Sequence, residues 1–329
     1  MIYILTAESF LSLDQLRQNI AAAMPESDSS LKFSWPNLEL TGVQLTQVFS
    51  VIPSCVTWLK LNGSHLYRLA DDELVQLFSA IPPSVSTLDL SDNYLESKTG
   101  LVLKRAFASL HEGMRVLILK GNILGSKPRA ELIEAFGGIP STVISLNLKW
   151  NHLYHQTDIQ LAQVFDALHK DLVELNLNGN SLNEKTGVKL GQAFAALPKT
   201  LNTLKLCNNN LDDFSLDALR QLKHVLPQVQ TLYLSYFEVF RMTSEQRIAL
   251  WAIFPGVKNP FFMINRENIT QDMNPLAQAN KRRELGFPSS VPSLLSLCGF
   301  FSKQIAVEAG IAVQDLPIVD TLKPFVQGF

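Results

Sequence analysis

A phenylalanine recurs every 29 residues through the middle of the chain, at Phe49, Phe78, Phe107, Phe136, Phe165 and Phe194. Phenylalanine makes up 19 of the 329 residues, so six hits at one interval are not a product of composition. A fixed period of that length marks a stacked-repeat architecture, in which each unit buries its apolar face against its neighbours. A chain of 329 residues then need not divide into two domains, because one quasi-linear stack accommodates it.

A second column runs in phase with the first. Residues 85–95, V-S-T-L-D-L-S-D-N-Y-L, follow L-x-x-L-x-L-x-x-N-x-L with Val85 in the first slot, and the register returns at Met114–Leu124, Val143–Leu153, Leu172–Leu182 and Leu201–Leu211. The central leucines are Leu59, Leu88, Leu117, Leu146, Leu175 and Leu204, with Leu31 and Leu232 continuing the series 28 residues beyond each end. Leu88 and Leu90 alternate with Asp89, the period-two pattern of a short strand with one buried face. Parallel strands need a long crossover. Here each crossover carries apolar residues at helical spacing, such as Leu190, Ala193, Phe194 and Leu197. The phenylalanines are expected to fill the space between helices and sheet. Pro25, Pro53, Pro82, Pro140, Pro198 and Pro227 mark helix ends. Asn93, Asn122, Asn151, Asn180 and Asn209 follow the strands, where an inward amide can satisfy loop backbone groups.

The motif resembles the leucine-rich repeat family. Its long period is similar to that of the ribonuclease-inhibitor-type subclass, in which a helix follows each strand. The resemblance implies an α/β solenoid with a parallel sheet on the concave face, helices on the convex face and a ladder of asparagines. The pattern decays outward: the asparagine slot becomes Ser64 and Pro36 on one side, Phe237 and Arg266 on the other. Atypical end units are expected, because each has one neighbour fewer. Roughly ten units run from Tyr3 to Met263. The expected division is a solenoid over 1–264 and a helical tail over 265–329.

Net charge of −2 argues against an electrostatic nucleic-acid binder. No apolar run is long enough for a membrane span. The N-terminus lacks the basic and hydrophobic regions of a signal peptide. Three scattered cysteines, Cys55, Cys207 and Cys298, suit neither a disulfide framework nor a zinc site and fit a reducing cytosol. Near-identical 29-residue repeats beside a divergent tail are similar in style to the leucine-rich repeat effectors that Legionella-type bacteria inject into host cells, which lack N-terminal signal peptides.

In such a repeat the residues flanking the strand leucines face the concave side. Most are small and polar, which makes the aromatics there the candidate interface anchors. The expected partner-binding set is Trp35, Trp58, Asp89, Tyr94, Lys149, Trp150, Tyr233 and Tyr236. His65 and His152 lie three repeats apart, too far to share a metal.

Gln271 to Leu285 reads as a polar helix, and the last forty residues are apolar and helix-prone. That tail resembles a SOCS box, with Ser293, Leu294, Leu297 and Cys298 matching its first part and Leu316, Pro317, Leu322, Phe325 and Val326 its second. Gly299, Ser302 and Val319 depart from the pattern. The resemblance implies docking on Elongin C and a cullin through Leu294, Leu297, Cys298, Leu316 and Pro317. The competing reading is a cap that shields the last repeat from water.

No phosphate loop, G-x-S-x-G elbow or H-E-x-x-H is present. The cysteines lack the Asp two residues on that marks bacterial ligase domains of this style. Neither an enzyme nor a cofactor is expected. The leading expectation is a scaffold binding one protein on its concave face. The alternatives are a ubiquitin-ligase substrate receptor and an inhibitor that occludes another enzyme.

Overall fold

The computed structural model describes residues 2–4, 18, 30–34, 42–185, 187–223, 225–226, 228–257, 260–264, 267–268, 280 and 283–285. Strands β1 (Ile2–Ile4), β2 (Ser30–Ser34), β3 (Trp58–Lys60), β4 (Thr87–Asp89), β5 (Val116–Ile118), β6 (Ser145–Asn147), β7 (Glu174–Asn176), β8 (Thr203–Lys205), β9 (Thr231–Ser235) and β10 (Phe261–Ile264) run parallel in chain order. Strand β11 (Glu267–Asn268) returns antiparallel on β10, so the sheet extends past the boundary expected at residue 264. The repeat sets the register, with Leu59, Leu88, Leu117, Leu146, Leu175 and Leu204 lying opposite one another.

Helices α1 (Gly42–Phe49), α2 (Asp71–Ser79), α3 (Gly100–Ala108), α4 (Arg129–Phe136), α5 (Asp158–Asp166), α6 (Gly187–Ala195) and α7 (Leu216–Gln221) supply the crossovers. Their starts are chemically marked. Thr99 Oγ1 accepts from Val102 N–H at 3.3 Å, and Ser215 Oγ accepts from Ala218 N–H at 3.1 Å. Helices α2 to α7 are each reached through a short 3₁₀ turn, such as Leu95–Ser97 or Leu153–His155. The phenylalanine column lies buried between the layers, and the Phe78 and Phe107 rings stack at 6.2 Å. Helices need about 8–10 Å of lateral room and strands about 4.8 Å. Stacking both in one repeat therefore bends the solenoid with its sheet inside.

After β9 the pattern changes. The strand runs directly into helix α8 (Tyr236–Arg241), followed by α9 (Ser244–Ile253), whose Thr243 and Gln246 form a reciprocal capping box. Beyond it, Leu285 is buried and Arg247 donates to the Glu284 carbonyl at 2.8 Å. The segment Arg283–Leu285 thus packs against α9.

Two polar ladders run through the central repeats. The first is the expected asparagine column, all of it buried. Asn180 shows its logic. Its Oδ1 accepts from the N–H of Asn151 at 3.0 Å and of Leu153 at 3.2 Å, and its Nδ2 donates to the carbonyls of Leu148 and Leu177 at 3.0 Å each. One side chain closes its own loop and ties down the preceding one. The last rung corrects the sequence reading: Glu238, not Phe237, ends the ladder, with Oε1 accepting from Asn210 N–H at 3.1 Å.

The second ladder was not anticipated. Lys98, Lys127, Gln156 and Lys185 recur at 29 residues, and all four are buried. Each reaches back to backbone carbonyls of the preceding repeat. Lys98 donates to Leu69, and Lys127 to Lys98 and Glu96. Gln156 donates to Gly125 and Lys127, and Lys185 to Tyr154 and Gln156. Lys127 also pairs with Glu131 at 3.1 Å, an interaction that lowers the Glu131 pKa. Gln246 Nε2 plays the same part at the far end, donating to the Phe214 carbonyl at 2.7 Å.

Burial, reinforced by neighbouring Asp212, pushes the Glu238 carboxyl up to about 7, against backbone hydrogen bonds that lower it. The folded chain therefore holds this proton between the unfolded value of 4.5 and about 7. Its contribution to stability is complete at low pH and disappears as pH rises through that window, a loss of roughly 3 kcal/mol. Glu238→Gln keeps the acceptor and abolishes the titration. The variant is expected to be more stable than wild type by about 2 kcal/mol near pH 8 and nearly unchanged near pH 5. Urea unfolding at the two pH values checks this, and equal differences at both would contradict it.

Candidate functional site

Each three-residue strand sends its central leucine into the core, so the residues on either side face away from the helices. The inner face is thus set by pairs such as Trp58 and Lys60 on β3, Ser145 and Asn147 on β6, Glu174 and Asn176 on β7, or Thr203 and Lys205 on β8. The second member often closes the turn that follows. Asp89 Oδ1 accepts from Ser91 N–H at 2.9 Å, Asn147 Oδ1 from Lys149 N–H at 3.0 Å, and Asn176 Oδ1 from Asn178 N–H at 3.0 Å. Asn178 Oδ1 in turn accepts from Cys207 N–H at 2.7 Å.

Three residues beyond each of those positions, the chain turns through the left-handed region: Gly63, Asp92, Gly121, Trp150, Gly179 and Asn208 all have φ between 55° and 68°. Glycine takes every second place, and it leaves room for the side chain before it. A Cβ on Gly179 would lie 1.8 Å from Trp150 Cδ1, and one on Gly121 would lie 2.0 Å from Asp92 Oδ1. The Trp150 indole therefore lies across the next loop. Lys149 and Lys120 stand 4.8 and 5.3 Å from its ring centroid.

This arrangement opens a cleft of ≈ 630 Å³ on the inner face, between the loops after β5–β8 and the ends of β9 and β10. Trp150, Lys120, Lys149, Asn147, Asn176 and Asn178 form one wall and Phe237, Met263 and Ile264 the other, with Asn208 and Ser235 between them in sequence. Cys207 sits in the floor as a thiol, its pKa pushed up to about 12 by burial and by the Glu238 carboxylate. It is thus a poor nucleophile. Among the described residues no His, Cys, Asp and Glu cluster has the makings of a metal site. No described helix is long and apolar enough to cross a membrane.

The structure brings together only some of the expected anchors. Lys149 and Trp150 line the cleft. Tyr233 lies on neighbouring β9, between Lys205 at 5.0 Å and the ring of Phe261 at 4.7 Å, while Lys205 pairs with Glu174 at 2.5 Å. Trp58 is 39% exposed at the other end of the face, with Lys60 Nζ 4.0 Å above its ring. Asp89 spends its carboxylate on the turn of Ser91. Tyr94 stands apart, at the start of a 3₁₀ turn on the loop edge, edge-on to Tyr67 at 5.6 Å. Tyr236 opens α8, half-buried against the core, and its ring stacks on the exposed Phe240 at 5.7 Å. The aromatic that reaches the cleft from this turn is Phe237, 51% exposed. Trp35, Leu294, Leu297, Cys298, Leu316 and Pro317 lie outside the described residues.

No protein-family model matches the chain, and no curated protein does. Among solved structures, the leucine-rich repeat-containing protein LegL7 from Legionella pneumophila is similar, with a TM-score of 0.77 and 33% identity over 89% of this chain and 92% of that one. The yeast Rad7 and Elc1 complex also matches, with a TM-score of 0.41 and 16% identity over 81% of this chain and 72% of that one. The extent of the match to LegL7, together with the leucine, phenylalanine and asparagine columns seen in register, shows that the chain belongs to the leucine-rich repeat family.

Proposed function

We propose that the chain is a protein-interaction scaffold that holds one partner protein on its concave face. The observation that carries this reading is the inner-face cleft, where a half-exposed tryptophan, two lysines and an apolar wall converge. Aromatic residues beside cationic and amide groups in a concave setting have the composition of interface hot spots. We further propose that it acts as an injected bacterial effector in host cytosol. The style of the repeats supports that reading, as does likeness to a Legionella leucine-rich repeat protein.

The test is capture from eukaryotic cell lysate with quantitative mass spectrometry, comparing three forms of the full chain. Trp150→Ala with Tyr233→Ala strips the concave anchors, and Ile159→Ala, 62% exposed on α5, is the convex control. Hot-spot truncations cost about 2 kcal/mol each, roughly thirty-fold in affinity. Proteins retained by wild type and the convex control are expected to drop out with the concave variant. Equal retention by all three forms would contradict the reading.

A further inference from the structure

The cleft has a chemical polarity that the concave-face reading does not require. Asn147, Asn176 and Asn178 each use Oδ1 to accept a backbone N–H, at 3.0, 3.0 and 2.7 Å. Those bonds fix which end of each amide points inward, so the three Nδ2 groups face the opening. Among the described residues these NH₂ groups have no hydrogen-bond partner. Lys149 adds positive charge on the same wall, where Lys120 is offset by Asp92, and no described Asp or Glu lines the cleft. The nearby acids are already engaged: Asp92 with Lys120 at 3.3 Å and Glu174 with Lys205 at 2.5 Å. The floor is a thiol, a weak donor. The opposite wall, Phe237, Met263 and Ile264, is apolar. A wall of donors and cations wants an acceptor that carries negative charge, and charge-assisted bonds to a carboxylate are the strong ones available. The apolar wall wants a large side chain beside it.

Building on the concave-face reading, we infer that this cleft takes an acidic peptide segment of the partner, with an Asp or Glu carboxylate against the asparagine amides and Lys149 and a neighbouring large apolar residue against Phe237 and Met263. The carboxylate supplies acceptors to the Nδ2 donors of Asn147, Asn176 and Asn178. Trp150, braced by Gly179, separates the acidic subsite from the loop edge. The partner is recognised by charge and shape together.

The test pans a displayed random-peptide library on the full chain and measures the enriched peptides by fluorescence anisotropy. Asn147→Asp with Asn176→Asp is the informative variant. Both Asp side chains still accept the Lys149 and Asn178 N–H, so the turns stay closed, while the outward donors become acceptors. Enriched peptides are expected to carry Asp or Glu within two positions of a large apolar residue. They should lose at least about tenfold in affinity on the double variant, the worth of one charge-assisted hydrogen bond. Peptides that bind wild type and are lost on Trp150→Ala with Tyr233→Ala, yet ignore the Asn→Asp pair, would overturn the acidic specificity and leave the concave-face reading standing. Peptides indifferent to both variants would overturn both. Enrichment of basic sequences, or of none beyond the double variant, would also overturn the acidic site.

Discussion

Replacing Asn180 by Ala is expected to be among the most destabilising single changes in the chain, on the order of 5 kcal/mol. The side chain is buried and makes four short hydrogen bonds to backbone, two as acceptor and two as donor. Alanine leaves the N–H groups of Asn151 and Leu153 and the carbonyls of Leu148 and Leu177 without these partners. Each orphaned buried group costs about 1–3 kcal/mol, and relaxation toward solvent recovers part of the sum. A solenoid adds a second consequence. Its stability is a sum of unit terms and nearest-neighbour couplings, so a rung lost in the middle weakens the join between the halves. Urea unfolding of Asn180→Ala is expected to lose cooperativity as well as midpoint, with Trp150 on one side of the break and Trp251 on the other. A single sharp transition shifted by less than about 1 kcal/mol would show that the ladder is decorative.

The second large effect separates hydrogen bonding from charge at Lys127. Its ammonium is almost wholly buried, donates to the carbonyls of Lys98 and Glu96 and pairs with Glu131. Lys127→Met keeps the volume and removes every donor, stranding the two carbonyls at a cost of roughly 3 kcal/mol. Lys127→Gln is expected to stay within about 1 kcal/mol of wild type. One repeat on, Gln156 does the same work with an amide, reaching the Gly125 and Lys127 carbonyls at 2.7 Å each. If Met and Gln cost the same, the column would owe its stability to charge or volume and not to its donors. Thermal unfolding of the two variants beside wild type decides the matter.

The contrast between the two ladders shows what the sequence made legible. Leucine, phenylalanine and asparagine recur with unchanged identity, and each type has one physical use at its place in a stacked unit. The lysine ladder recurs just as regularly, three residues after Leu95, Leu124, Leu153 and Leu182. It went unread because lysine ordinarily marks solvent, and Gln156 breaks the identity. Only the structure shows a carbonyl-lined channel between turns that a long donor can enter. Glu238 was missed for a geometric reason. From Leu204 to Leu232 the repeat shortens to 28 residues, while β9 runs straight into α8, so the ladder position moves one residue on. Phe237 thereby passes from the asparagine slot to the mouth of the cleft.

The site was legible in its ingredients and not in its assembly. Trp150 and Lys149 stood out by type. Their meeting depends on the left-handed turn at Trp150 and the glycine that follows one repeat later, features that appear in the sequence only as alternation at 63, 92, 121, 150, 179 and 208. Tyr94 and Tyr236 read as equal to Trp150 in a linear alignment of repeats. The 3₁₀ turn carries one to the loop edge, and the onset of α8 carries the other back to the core. Asn147, Asn176 and Asn178 belong to the polar residues of the concave face. Their donor polarity follows from the turns they close, which no composition argument reveals.

Hydroxyl-radical footprinting of the full chain, alone and with a captured partner or an enriched peptide, tests the central claim most directly. It reads side-chain exposure at reactive residues distributed over both faces. The account predicts protection at Trp150, Phe237 and Met263, with Leu101, Ile159 and Val188 on the convex helices unchanged. Protection of the helical row with Trp150 and Phe237 left open would place the partner on the convex face and contradict it.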